Sequence, residues 1–336
     1  MKAAVIGAGR IGRVHIENIS MAVREIEIKT VADPFINEDG EAFVRSFGIE
    51  NVTKDVDSVF ADPEIEAVLI CSSTDTHADL IMKAAAAGKH IFCEKPVDHS
   101  VARVKMALEA VRKAGVKLQI GFVRRFDHNH RGVYDAVRSG KIGTPHILRI
   151  SSRDPEPPTI EYVRRSGGIF YDMMIHDFDM IRFLAGSEVT EVYAKGAVLV
   201  DPAIGAEGDV DTAIVTLTFE NGAIGVIDNS RQAVYGYDQR LEVFGSEGSV
   251  QDENDIPNTV VLSRREGTSY GTAYQVMWDR YTRAFIDEMH AFADSVINDK
   301  VPPVTDLDGL YPVLIAAAAN LSLAEGRPVK ISEVDE

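Results

Sequence analysis

Along residues 1–121, short apolar runs alternate with longer stretches whose apolar positions recur at helical spacing. The runs AAVIG, IEIKTVAD, EAVLICSS, HIFCEKP and VKLQIGF read as strands; THADLIMKAAAAGK and SVARVKMALEAVRKAG read as helices between them. Strands joined by helices of that length imply right-handed crossovers and a parallel, doubly wound sheet, which binds ligands at the carboxyl ends of its strands. From about residue 145 the period shortens to two. HILRISSRD, VTEVYAKGAVL, DTAIVTLTF, AIGVIDNSR, DQRLEVFG and TVVLSR predict long strands, and FENGAIG carries the Asn-Gly signature of a hairpin. A helix is expected over 167–185, and MWDRYTRAFIDEMHAFADSVIND and DGLYPVLIAAAANLSLAEG predict two more near the end.

The fold expected is α/β: an N-terminal Rossmann domain, 1–121, then an α+β domain, 122–336, built on a large, mostly antiparallel sheet. The join falls near GFVRRF, 121–126, without a long linker. A length of 336 residues suits two cores. Helices cover one sheet face. The other carries many Val, Ile and Thr, so a second subunit is expected on it, in a dimer or homotetramer.

Composition narrows the function. With 35 basic and 52 acidic residues the net charge is −17, which disfavours nucleic acid and anionic membrane surfaces as partners but not an anionic cofactor held by backbone amides. The opening apolar run is too short for a signal peptide, and no stretch reaches the roughly 18 apolar residues of a membrane span, so a cytoplasmic location is expected. The only cysteines, Cys71 and Cys93, sit in strand-like runs and read as reduced core thiols. No metal site is expected, since HNH at 128–130 lacks partners at a zinc spacing.

The first strand runs into GAGRIG. Gly7 permits the tight turn, Gly9 lets the backbone approach a diphosphate and Gly12 allows helix and strand to pack closely, with Arg10 and Ile11 between them on the cofactor side. Asp33 ends the next strand, where a carboxylate accepts from the adenosine ribose hydroxyls and would repel a 2′-phosphate; NAD is therefore expected over NADP. The alternative is that Asp33 caps the turn at Pro34. In SSTDTH, Ser72, Thr74 and His77 are further candidate cofactor contacts, while Thr76 is also placed to cap a helix starting near His77. Glu94 and Lys95 end a later strand at the crevice where a nicotinamide would rest. Pro96 holds Lys95 extended, and the Lys95–Pro96 bond is open to the cis form.

GGIFYDMMIHDFDM, 167–180, spaces Asp172, His176 and Asp179 four and three apart, so a continuous helix puts all three on one face and turns Asp177 elsewhere. A stripe facing water is the plain reading. With a dinucleotide fingerprint upstream, the stripe and the lysine instead make an alcohol dehydrogenase: His176 as general base, Asp172 accepting a substrate hydroxyl and favouring the imidazolium, Asp179 orienting the ring, and Lys95 offsetting charge on the reacting oxygen.

With these motifs the chain resembles the glucose-fructose oxidoreductase and inositol dehydrogenase (Gfo/Idh/MocA) family over essentially its whole length, and GFVRRFD, SRDPEPP, GGIFYDMMIHDFDM and YGYDQRLEVFGSEG resemble segments of its myo-inositol 2-dehydrogenases. The resemblance implies that Lys95, Asp172 and His176 are catalytic and that Arg125, Asp154 and Tyr235 lie near a polyol. It implies NAD-dependent oxidation of a neutral cyclic polyol, myo-inositol to 2-keto-myo-inositol, in inositol catabolism. Rivals are a relative acting on another inositol isomer or an aldose such as glucose, and a nicotinamide-sensing regulator, which would be expected to lose the lysine or the histidine.

Overall fold

A computed structural model describes residues 1–335. In the N-terminal half the elements are β1 (Lys2–Ile6), α1 (Arg10–Ala22), β2 (Glu27–Ala32), α2 (Glu38–Ser46), β3 (Asn51–Thr53), α3 (Asp57–Ala61), β4 (Ala67–Ile70), α4 (Thr74–Ala86), β5 (His90–Glu94), α5 (Val101–Ala114) and β6 (Leu118–Gly121). All six strands pair in parallel, in the order β3-β2-β1-β4-β5-β6. Burial explains the composition: β1 and β4 are covered on both faces, so their residues are apolar throughout rather than alternating. The order reverses direction beside β1, which places the open ends of β1, β2 and β4 at the switch point of the sheet. The short edge strand β3 falls outside the runs read from sequence.

The remaining elements are α6 (His128–Arg138), β7 (Pro145–Arg153), α7 (Ile160–Ser166), α8 (Ile169–Asp172), α9 (Ile175–Ala185), β8 (Val189–Ala197), α10 (Pro202–Ala206), β9 (Thr212–Phe219), β10 (Ile224–Ser230), β11 (Asp238–Gly245), β12 (Gly248–Asp252), β13 (Val261–Arg264), β14 (Gly267–Tyr270), α11 (Met277–Ile297), α12 (Asp306–Glu325) and β15 (Val329–Lys330). Seven strands form a sheet in the order β12-β11-β7-β10-β9-β8-β15, antiparallel except for the β7–β10 pair. The Asn-Gly turn joins β9 to β10, with Gly222 at φ +86°.

Inward-facing Leu148, Ile150, Val215, Leu217, Ile227, Leu241 and Val243 build one core with Phe178, Ile181 and Leu184 of α9. The opposite face exposes Ile214, Ile224 and Phe244 among threonines and charged residues.

Several expectations need correction. TVVLSR lies not in the large sheet but in a separate exposed hairpin, β13–β14. The compact units are Met1–Phe126 with Thr282–Val313, and Asp127–Tyr281 with the chain from Leu314 onward. The join follows Phe126, at the end of the GFVRRF stretch, but most of α11 returns to the first unit, where Met289, Phe292 and Ala293 enter its core. α12 is long and apolar enough to cross a membrane by length and composition, contrary to the sequence estimate, but half of its apolar window is buried within the protein and Ile315, Ala316, Ala318 and Ala319 belong to the second core.

Candidate active site

In the first unit the glycine motif has the geometry its spacing implies. Gly7 sits at φ +97°, where a Cβ would lie 2.7 Å from the Ser72 nitrogen, and a Cβ on Gly12 would lie 2.0 Å from the Gly7 carbonyl oxygen. Only glycine fits either position. A Cβ on Gly9 would meet nothing within 4 Å. That open space adjoins the first turn of α1, whose amides lack helical partners and whose first turn, including Arg10, Ile11 and Gly12, carries no acidic side chain. The cradle fits a diphosphate.

Asp33 caps the turn after β2, one carboxylate oxygen accepting from the Phe35 amide at 2.8 Å, while the other accepts from the Ala8 amide of the glycine loop at 2.8 Å. It thereby fixes the loop against the end of β2. Ser72 Oγ lies 2.6 Å from Thr76 Oγ1 at the end of β4, and α4 begins at Thr74, with Ser73 rather than Thr76 at its N-cap.

His77 differs from the direct cofactor contact expected. It is 1% exposed, and its ring nitrogens lie 2.8 Å from the Pro96 carbonyl and 3.1 Å from the Ser72 carbonyl, so it ties the loop after β4 to the loop after β5. Burial pushes its pKa down, against the pull of those two carbonyls. The Lys95–Pro96 peptide is cis, and Lys95 is partly exposed.

Glu94 turns inward. Its Oε1 lies 2.7 Å from Nε2 of the buried His15 on α1, and Glu288 of α11 completes a buried group whose ligating atoms lie within 4.8 Å of one another. Burial, then the neighbouring Glu94, push the Glu288 carboxyl well above the usual range. Arg125, implied by resemblance to touch a polyol, is buried and donates to Asp308 at 2.7 Å. Asp127 accepts from Arg280 and caps α6 through the Asn129 and His130 amides. Cys71 and Cys93 are free, buried thiols, with pKa values raised well above the ordinary one by burial.

In the second unit the apolar inner face of the sheet turns polar at one end. Alternation along β7 runs Leu148, Ile150, Ser152; along β10, Gly225, Ile227, Asn229 and then Arg231; along β11, Val243, Leu241, Gln239. Register places Ser152 beside Asn229 on one side and Gln239 on the other, making one polar row across three strands. Asp177 of α9 reaches down to this row. It accepts from Ser152 Oγ at 2.6 Å and from Asn229 Nδ2 at 2.9 Å, while Ser152 Oγ also lies 2.9 Å from the Gln239 amide.

The stretch 167–185 is not one helix. α8 ends at Asp172 and α9 starts at Ile175, so Asp172 closes one helix while His176 and Asp179 belong to the next. Asp172 is held on both oxygens: Oδ1 accepts from the Tyr162 hydroxyl and Oδ2 from Arg231, each at 2.7 Å. Neither Tyr162 nor Arg231 was named from the sequence, although Arg231 has the inward parity of Ile227 and Asn229 and so carried a readable signal. His176 is 8% and Asp179 1% exposed. Asp154 Oδ2 lies 4.0 Å from the Arg231 guanidinium. The Tyr235 hydroxyl donates to Asp238 at 2.5 Å and accepts from Arg153 at 3.1 Å. Asp154, Asp172, His176 and Tyr235 thus lie in the second unit, whereas Lys95 and Arg125 lie in the first.

A doubly wound sheet with this glycine cradle and a second unit rich in positioned carboxylates defines a nicotinamide-nucleotide oxidoreductase. Residues 1–122 match the oxidoreductase family with an NAD-binding Rossmann fold, and residues 130–251 match the GFO/IDH/MocA C-terminal domain. The chain belongs to the GFO/IDH/MocA family and is an NAD-dependent oxidoreductase. It is similar to an uncharacterised oxidoreductase of Bacillus subtilis strain 168, 50% identical over 99% of this chain and 97% of the other. It is also similar to the myo-inositol 2-dehydrogenase of Thermotoga maritima, 47% identical over 99% of both chains. Among solved structures, the scyllo-inositol dehydrogenase of Lactobacillus casei with bound NAD(H) and scyllo-inositol superposes with a TM-score of 0.92 at 28% identity, over 99% of both chains.

Proposed function

We propose that this protein is a myo-inositol 2-dehydrogenase, oxidising one ring alcohol of myo-inositol to the ketone 2-keto-myo-inositol. The observation that carries the reading is the Asp172 carboxylate, fixed on one oxygen by Tyr162 and on the other by Arg231, four positions before a histidine at the start of α9. Whole-length similarity to a named myo-inositol 2-dehydrogenase supports the choice of substrate.

In this reading His176 removes the hydroxyl proton, for which an imidazole is suited near neutral pH, and such a base contributes about a hundredfold to ten-thousandfold. Asp172 accepts a hydrogen bond from a substrate hydroxyl and favours the imidazolium once formed, and Asp179 orients the ring. Lys95 offsets negative charge developing on the oxygen. NAD, when bound, would supply the acceptor for the hydride leaving carbon. Gly7, Gly9, Arg10, Ile11, Gly12, Asp33, Ser72 and Thr74 hold the cofactor; His77 and Glu94 support it from beneath. Asp154 and Tyr235 line the polyol side with carboxylate and phenol groups matched to neutral hydroxyls. The enzyme works in the cytoplasm as a homotetramer or dimer joined through the exposed sheet face, with no nucleic-acid or membrane partner.

The test is NADH formation across myo-, scyllo- and chiro-inositol, glucose and xylose. Highest kcat/KM on myo-inositol is expected. Preference for glucose or xylose transfers the reading to an aldose dehydrogenase, and absence of NADH with every polyol leaves a regulator.

A further inference from the structure

Arg231, immediately after β10, is the largest fully buried side chain among the described residues, 2% exposed. Its main-chain amide is held by the Asp211 carbonyl at 2.8 Å, so the side chain is anchored at its root. Nη1 donates to Asp172 Oδ2 at 2.7 Å and lies 4.0 Å from Asp154. Nε and Nη2 meet no acceptor among the described residues. Burial opposes the charge of such a guanidinium, yet Asp172 first, then Asp154 and Asp209, hold its pKa above the ordinary arginine value. The pair is therefore ionic, and two elements grip one carboxylate: Tyr162 from the neighbouring α7 and Arg231, 59 residues on, from just beyond β10.

A carboxylate held on both oxygens has one orientation. It also keeps its remaining lone pairs aimed in fixed directions, which is what a hydroxyl-recognising acceptor requires. Removing the cation takes a charge partner from this partly buried carboxylate, which then rotates or takes up a proton more readily.

We propose that Arg231 is a positioning residue of the reaction, acting through Asp172 by fixing the orientation and the charge of its carboxylate. This rests on the reading above that Asp172 receives a substrate hydroxyl. The test is a double-mutant cycle in kcat/KM on myo-inositol with Arg231→Met, Asp172→Asn and the double variant, alongside Arg231→Lys. Arg231→Met is expected to lower kcat/KM about a hundredfold in the native background and less than about threefold in the Asp172→Asn background, while Arg231→Lys recovers about tenfold of the loss. Affinity for NADH, read by fluorescence, is expected to stay within about twofold.

A loss of equal size with and without Asp172 would overturn the proposal, since a merely structural arginine costs the same in either background. Should Arg231→Met fail to yield folded protein, the same cycle is run with Arg231→Lys, and additivity there overturns it equally. Failure of the substrate reading is seen separately. If the native protein oxidises none of the polyols, the cycle is read in melting temperature, where a smaller drop for Arg231→Met in the Asp172→Asn background than in the native one supports the pairing and an equal drop refutes it.

Discussion

Glu288→Gln removes a fully buried acid of the first unit while keeping its shape. Glu288 is wholly buried, neither carboxylate oxygen has a hydrogen-bond partner among the described residues, and His15 and Glu94 face it from α1 and β5. Burial and Glu94 raise its pKa far above the ordinary 4.5, so the folded protein keeps a proton that the unfolded chain releases. Stability from that proton is complete below about pH 4.5 and is lost as pH rises towards the folded-state value. Within that window each pH unit lowers the stability of the native protein by about 1.4 kcal/mol relative to a variant that carries no proton there. The glutamine amide of Glu288→Gln carries no titrating proton.

Between about pH 5.5 and pH 7.5 the native protein should therefore lose stability relative to Glu288→Gln. Urea unfolding followed by far-UV circular dichroism at both pH values measures the difference. The variant is expected to gain on the native protein as pH rises, with the curves converging towards pH 4.5. Parallel pH profiles for the two proteins would refute the argument, because they would mean that Glu288 is ionised in the folded state or protonated equally in both states.

Asp33→Ala removes the acceptor of the Ala8 and Phe35 amides and is expected to lower the NAD-to-NADP ratio of kcat/KM by about tenfold or more; an unchanged ratio assigns the preference to another residue. Lys95→Ala and His176→Ala are each expected to reduce kcat at least about a hundredfold with little change in NADH affinity, and near-normal turnover in His176→Ala removes it as the base. Sedimentation at micromolar concentration should give a dimer or tetramer, which Ile214→Glu with Ile224→Glu should dissociate, whereas a native monomer of 36.8 kDa contradicts the role given to the exposed sheet face.

Local pattern carried the parts of this architecture that are local. A strand, glycines at fixed offsets, and an aspartate ending the next strand lie within one crossover, and each constrains its neighbours by short-range sterics. The break between α8 and α9 was hidden because Met173 and Met174 are good helix residues, and nothing in IFYDMMIHDFDM opposes a continuous helix. Tertiary contact decides it: Ile169, Phe170, Met173 and Met174 all enter the core before α9 begins. The same reason hid the return of Thr282–Val313 to the first unit and the burial of Arg125, since Asp308 lies far along the chain. His77 read as a ligand contact because its place at the start of a helix is visible in sequence, whereas the two carbonyls that take up its ring nitrogens come from loops brought together only by the sheet.

Asp177 illustrates how neighbouring residues divide the work of the second unit. On a continuous helical stripe it pointed away from the chemistry and appeared idle. In the fold it is 0% exposed and hydrogen-bonded to Ser152 and Asn229, which lie side by side on β7 and β10. These bonds pin the first turn of α9 to the polar end of an otherwise apolar sheet face. Packing alone would allow that turn to slide, because Phe178, Ile181 and Leu184 meet aliphatic neighbours that tolerate small shifts. Hydrogen bonds to a charged acceptor do not tolerate them, and each is worth about 1.5–3 kcal/mol. The position of His176 is thus set by the residue beside it. The orientation of Asp172 is set independently, through Tyr162 and Arg231, by a separate set of contacts on the same sheet end. These two sets of contacts hold His176 and Asp172 at a constant separation even though the helix between them is broken.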